Sequence, residues 1–432
     1  MHGLRLYGAK LSRFSRNAWL VMAYSAIGGL SGGIYDLLLN FYVLSLGGYD
    51  ERFLGLLPTA RSVAMLFSAI PAAYIAERFS QKRIMIVGTV VGALAFGGMV
   101  LLSSPFFLLA FSVIFGLTDS VRTVTVPPFL MRNTSEEERQ YVFSLNFGTR
   151  TIATFGASMI GGYLPTWLGG LIGAAPTSTP AYQMALIAVM AIDMLALIPA
   201  ALLRAAPEAP HKGVEMPWTL LWRYKGLLLR LTAPSFVIGL GAGLMMPFRN
   251  LYFRNVFDRS DRAIGALFGL SALVMGISQF VGPPLAERRG KITLVVLSEA
   301  LSVPFLMTLA LAAWVVPNGR GNVETWYLIA AGAYLVRMAL MNLGNPIYQT
   351  FILEQVQPDT QSLAISVNRV TDQVGRALSP ILSGWFQATY GEYGFVPVFS
   401  STSALYVVGI ALLWAFFVRS GARMAAKRVE PT

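Results

Sequence analysis

The sequence predicts an all-α membrane protein that crosses the bilayer twelve times as two similar six-helix bundles. Three observations predict it: long apolar blocks, basic residues confined to alternate loops, and an internal repeat. The 432 residues are 55% hydrophobic and only 12% charged. A soluble domain carries about 25% charged residues. The two or three soluble domains that this length would allow need polar surface that the chain does not have.

The apolar runs lie near 18–45, 53–76, 84–103, 105–130, 141–164, 180–203, 231–254, 263–286, 292–315, 326–349, 362–387 and 396–419. They are numbered here as spans 1 to 12. Each is about 20 residues or more, enough to cross roughly 30 Å of hydrocarbon at a rise of about 1.5 Å per residue. Lipid offers the backbone no hydrogen-bond partner, so the runs must be helices. The weakest break is Ser103-Ser104-Pro105, between spans 3 and 4. The first run follows a basic N-terminus but is too long for a signal segment and has no convincing cleavage site, so it is read as span 1.

The net charge of +12 follows the loops. One set of loops holds Arg5, Lys10, Arg13 and Arg16, then Arg78, Lys82 and Arg83, then Arg132 and Arg139. It continues through the 204–230 segment, Arg288, Arg289 and Lys291, to Arg419, Arg423, Lys427 and Arg428. The alternate set holds only Arg52, Arg254, Arg259, Arg262 and Arg320. Cytoplasmic loops carry the excess of Lys and Arg, so both termini are expected in the cytoplasm, in a bacterial inner membrane, with an even number of spans. The basic charge is thus a topology signal and implies no nucleic acid. There is no Cys, and His2 and His211 lie in polar segments, so neither a metal site nor a cofactor is expected. No clustered His/Asp/Ser constellation points to an enzyme.

Residues 204–230 are polar and Pro-rich at their start and divide the spans six and six. The expected domains are 1–203, a cytoplasmic linker 204–230, and 231–432. The stretch from Trp218 to Arg230 reads either as a helix along the interface or as a linker helix. Adding 210 to the residue number superposes 29–81 on 239–291, with 13 identities in 53 positions against about four expected from composition. Gly33, Asn40, Tyr42, Arg52 and Gly55 fall on Gly243, Asn250, Tyr252, Arg262 and Gly265. A second register, 222, places Ser144, Asn146, Thr149 and Gly162 on Ser366, Asn368, Thr371 and Gly384. Parallel repeats of this kind put a substrate site near the midplane where they meet.

The loop between spans 2 and 3 reads Ala73-Tyr74-Ile75-Ala76-Glu77-Arg78-Phe79-Ser80-Gln81-Lys82-Arg83. The loop between spans 8 and 9 reads Pro283-Pro284-Leu285-Ala286-Glu287-Arg288-Arg289-Gly290-Lys291. Both resemble the major facilitator signature Gly-x-x-x-Asp-Arg-x-Gly-Arg/Lys-Arg/Lys. The first copy lacks both glycines and has Glu for Asp; the second keeps the later glycine. With twelve spans in two halves, the resemblance covers the whole chain. It implies a secondary transporter working by alternating access, with Glu77, Arg78, Lys82 and Arg83, and Glu287, Arg288, Arg289 and Lys291, as a cytoplasmic gate. A carboxylate at the cytoplasmic end of span 2 suits a neighbouring helix N-terminus and nearby arginines. The other reading is a plain topology anchor.

The resemblance also implies that spans 1, 4, 7 and 10 line a cavity, that 2, 5, 8 and 11 flank it, and that 3, 6, 9 and 12 are peripheral. Charges inside spans are costly and are functional candidates. Ten of twelve fall on the first two groups; only Asp193 and Glu299 are peripheral. The expected substrate and proton pathway comprises Asp36, Asn40, Asp119, Arg122, Arg249, Asn250, Arg337 and Asn342. Arg61, Arg150, Arg369, Asp372 and Arg376 are expected as an inter-bundle charge network, with cavity roles for Arg61, Arg150 and Arg376 as the competing reading. Asp119 and Arg122, three residues apart, share a helix face and either pair or serve proton coupling. The excess of arginine suits an anionic or zwitterionic substrate. The expectation is a monomeric, proton-coupled antiporter for efflux of an amphipathic small molecule, anionic ones included. The alternatives are an organic-anion uptake symporter and a lipid or lysolipid flippase. Tags at the N-terminus, at 204–215 and at the C-terminus should be accessible from the cytoplasm and one beside Asn318 from outside; a linker tag reached only from outside would overturn the positive-inside reading.

Overall fold

The computed structural model describes residues 14–134, 136–204, 218–356 and 361–419. Span 1 is Arg16–Ser45, span 2 Glu51–Arg78, span 3 Gln81–Leu101, span 4 Pro105–Arg132 and span 5 Glu136–Gly161. Span 6 is Thr179–Met194, continued by Leu197–Leu202. Span 8 is Asp261–Arg289, span 9 Lys291–Val315 and span 12 Phe395–Leu413. The Ser-Ser-Pro break is real: span 3 ends at Leu101, and Pro105 opens span 4. Proline is suited to that first position, where its missing N–H has no helical partner anyway.

Three spans of the second half are interrupted, each at a proline. Span 7 runs Trp218–Met245, tightens to a 3-10 turn at Met246–Phe248 and resumes as Arg249–Phe257. Span 10 breaks between Val323–Leu343 and Asn345–Glu354, and span 11 between Gln361–Leu378 and Pro380–Tyr390. Pro247, Pro346 and Pro380 remove a backbone donor and clash with the preceding turn. The stretch Trp218–Arg230 is the beginning of the span 7 helix. No proline interrupts it before Pro234, and the helix continues without a break past residue 230.

Nine stretches among the described residues are long and apolar enough to cross a membrane. One of them, Ser366–Val418, is 53 residues long and holds most of span 11 together with span 12. Spans 2 and 5 are helices of 28 and 26 residues that are not among the nine. The whole is consistent with twelve crossings.

By contact, one compact unit comprises residues 1–49, 60–213 and 260–272, and the other 50–59, 214–259 and 273–432. In the first unit, Asn17 ties three span ends together. Its amide donates to the Asn133 side chain at 2.6 Å and the Arg204 carbonyl at 3.1 Å, and its oxygen accepts from the Arg204 N–H at 3.0 Å. An apolar cluster of Ala18, Val21, Met22, Met85, Phe129 and Ala200 lies beside it.

Two repeated glycine positions explain how spans approach so closely. At Gly265 a Cβ would stand 2.3 Å from the Ser158 carbonyl oxygen, and at its repeat mate Gly55 one would stand 2.6 Å from that of Pro380. Opposite them, Gly162 faces the Asp261 carbonyl at 2.5 Å and Gly384 that of Glu51 at 2.1 Å. Each unit therefore has one glycine-lined seam, spans 5 and 8 in the first and spans 2 and 11 in the second. Small residues allow such backbone approach in membranes, where helix association depends on packing. Gly384→Ala should lower stability by about 1–3 kcal/mol through overpacking. Gly156→Ala on span 5, where a Cβ meets nothing within 4 Å, should be neutral or mildly stabilising. Thermal unfolding of the two purified variants checks the contrast.

Candidate functional site

In the first unit, Arg61 of span 2 stands between two carboxylates. Its Nη2 donates to Asp119 Oδ2 of span 4 at 2.8 Å, and its Nη1 lies 3.7 Å from Asp36 Oδ1 of span 1. The guanidinium covers the Phe115 ring at 4.8 Å and the Tyr35 ring at 5.6 Å. Gly116 makes room for span 2: a Cβ there would meet the Arg61 carbonyl at 2.3 Å. The Asp36 side chain keeps 56% of its surface accessible, against 33% for Asp119 and 28% for Arg61. Asp119 is therefore held firmly and Asp36 loosely. Arg61 was expected in a network between the bundles; it is used inside its own half, because the close approach of spans 2 and 4 brings it onto Asp119.

Arg122, one turn further along span 4, does not take Asp119 as its partner. It donates to both carboxylate oxygens of Asp193 on span 6, at 3.5 and 3.4 Å, and lies over the Tyr24 ring at 5.2 Å. Ser31 of span 1 donates to the same carboxylate at 2.7 Å. The Arg122 and Asp193 side chains are 15% and 8% exposed. Gly28 is the residue that admits the guanidinium: a Cβ there would meet Arg122 Nη2 at 2.8 Å.

The second half repeats this arrangement with different chemistry. Arg337 of span 10 is completely buried and donates to the Tyr406 hydroxyl of span 12 at 3.0 Å, with its guanidinium 5.6 Å from that ring. Gly241, the repeat mate of Ser31, lies where a Cβ would meet Tyr406 Cε1 at 2.7 Å. A phenol thus stands where the first half has a carboxylate, and Arg337 Nε has no hydrogen-bond partner among the described residues. Arg122 and Arg337 were expected to line the pathway. Both make hydrogen bonds to the outer spans of their own halves.

Arg249 begins the second segment of span 7, directly after the proline-induced turn, and donates to the Tyr334 hydroxyl at 3.4 Å. The repeated tyrosines are interior pins: Tyr42 donates to the Val100 carbonyl at 2.6 Å and Tyr252 to that of Leu309 at 3.0 Å. Asn250 is buried and its side chain accepts from the Leu251 N–H at 3.0 Å, whereas Asn40 is half-buried. Asn342 donates to the Met338 carbonyl at 2.8 Å and accepts from Asn345 at 3.0 Å, where span 10 breaks. Arg376 pairs with Asp372 at 2.7 Å, one turn apart on span 11; Arg150 and Arg369 are exposed.

The expected gate is only partly visible. The side chains of Glu77 and Arg78 lie outside the described residues. Lys82 is half-buried, and Arg83, Glu287, Arg288 and Arg289 are exposed. Lys291 pairs with Glu354 at the end of span 10. An exposed pair of this kind contributes about 1 kcal/mol at most.

The sequence profile of the Major Facilitator Superfamily matches residues 20–352 and 236–431. The chain belongs to that superfamily. It is 19% identical over 406 residues, 92% of each chain, to an uncharacterized MFS-type transporter, YqjV, of Bacillus subtilis (strain 168). Its fold is that of solved superfamily transporters. It superposes on the nucleoside transporter NupG with a TM-score of 0.74 at 15% identity, covering 94% of this chain and 99% of that one. A bacterial homologue of the human lysosomal transporter Spinster gives 0.74 at 14% identity, covering 93% and 96%. The D-xylose–proton symporter gives 0.69 at 12%, covering 92% and 97%. This superfamily member is thus an integral membrane transporter.

Tyr406→Phe should destabilise the protein by about 1–3 kcal/mol, because it strands a buried charged donor. Tyr334→Phe, which removes the longer bond to half-buried Arg249, should cost less. Denaturant unfolding in detergent checks the order.

Proposed function

We propose that this transporter moves an organic anion together with protons. The observation that carries the reading is the sharing of one guanidinium, Arg61, by Asp36 and Asp119, all three partly accessible. An anionic substrate that takes a hydrogen bond from Arg61 competes with both carboxylates, and a carboxylate that loses its cation is stabilised by a proton. Substrate and proton then favour each other's binding, and the coupling is reciprocal. Asp36 is the member that accepts the proton, since it is the more loosely held. Arg249, at the broken helix of span 7, and exposed Arg150 supply further planar donors suited to carboxylate or phosphate.

This chemistry favours symport, in which anion and proton travel together. Efflux by exchange fits a cationic substrate better, because a cation would compete with the proton for the same carboxylates. Alternating access about the duplicated halves supplies the route, and the plasma membrane with cytoplasmic termini is the expected setting. Glu77 would stabilise the closed cytoplasmic side.

A thermal-shift screen of organic anions, organic cations and lipid headgroups across pH should first give stabilisation by anions, increasing as pH falls. In proteoliposomes, an imposed pH gradient, acid outside, should then drive that anion inward. Asp36→Asn should abolish gradient-driven accumulation while sparing exchange of labelled for unlabelled substrate. Accumulation at the wild-type level in both Asp36→Asn and Asp119→Asn, or stabilisation by cations alone, would contradict the reading.

A further inference from the structure

One mid-span carboxylate has no place in the cluster or the arginine contacts above. Glu299 on span 9 is 9% exposed, and its Oε2 has no hydrogen-bond partner among the described residues. The carboxylates of Asp36, Asp119, Asp193 and Asp372 each face a guanidinium. Among the described residues Glu299 has no such pairing.

Within span 9, Lys291 is committed to Glu354 of span 10. Further along span 10, Glu324 pairs with Arg259, Arg337 donates to Tyr406 of span 12, and Tyr348 donates to the Leu231 carbonyl at 2.6 Å. Glu392, in the turn Gly391–Gly394 before span 12, is exposed. None of these cations bonds Glu299. The nearest hydroxyls on its own helix are also committed. Ser298 donates to the Val295 carbonyl at 3.1 Å, and Ser302 donates to the carbonyl of Glu299 itself at 2.6 Å.

An isolated ionised carboxylate in an apolar interior is so costly that the group takes up a proton instead. A metal cation would not substitute, because hard cations demand about six oxygen ligands and the adjacent hydroxyls are already used. We infer that Glu299 is a proton-binding site of the second half, separate from the Asp36–Arg61–Asp119 cluster. In this packing its proton is shielded from water, and exchange requires spans 9, 10 and 12 to part. The inference does not rest on anion symport.

The test needs no transported substrate. Infrared spectra of the purified protein in detergent at neutral pH, in light and heavy water, should show a carboxylic-acid C=O band with a deuterium shift. That band should be lost in Glu299→Gln and retained in Asp36→Asn. Because Gln mimics the protonated carboxyl, Glu299→Gln should unfold within about 2 °C of the wild type. That figure is at the lower end of the shift of roughly 2–4 °C that 1 kcal/mol produces in domains of 150–250 residues. A band unchanged in Glu299→Gln, no such band in the wild type, or a severely destabilised Glu299→Gln would each overturn the proposal. Loss of the band with failure of the Asp36→Asn transport test would leave the site standing and remove only the symport reading.

Discussion

A guanidinium inside a lipid-embedded bundle must have a partner, and each half of this transporter is organised around that requirement. In the first half Arg122 reaches Asp193, which Ser31 also supports. In the second half Arg337 reaches Tyr406, with Gly241 clearing the space. The same link, from the middle of span 4 or 10 to span 6 or 12, thus survives duplication while its chemistry changes. Removing one member of a buried ion pair costs about 3–5 kcal/mol, because the other charge is left uncompensated. These contacts therefore fix the helices they join and are poor candidates for parts that move.

The Asp36–Arg61–Asp119 cluster differs in kind. Its carboxylates are 33% and 56% accessible, and one of its two contacts is 3.7 Å long. Screening by water makes such contacts far weaker than the enclosed pairs. Partner exchange there costs little, which is what coupling to a proton and an anion requires. The transporter thus sorts its intramembrane charges by exposure, with enclosed ones anchoring helices and accessible ones left to rearrange.

The fold was legible in the sequence because span length, loop charge and the 210-residue register are local or periodic properties. The glycines of both registers mark where backbones meet: Gly55 and Gly265 under one, Gly162 and Gly384 under the other. The charge pairing was not legible. Asp119 and Arg122 share a helix face, yet their partners come from spans 2 and 6, which helix periodicity cannot reveal. Asp193 lies on a span that the resemblance makes peripheral, yet it holds Arg122; its spacing from Arg337's partner Tyr406, close to the repeat register, is the available signal. The start of span 7 was hidden because Trp, Arg and Lys at 218–230 read equally well as an interfacial segment.

The enclosed pair and the accessible cluster should differ most in how strongly their members are coupled. A double-mutant cycle on Arg122→Leu and Asp193→Leu, measured by unfolding in detergent and set beside Arg61→Leu and Asp36→Leu, tests it directly. The account predicts a coupling of about 3 kcal/mol or more for the enclosed pair and about 1 kcal/mol or less for the accessible one. Equal couplings, or the reverse order, would contradict it.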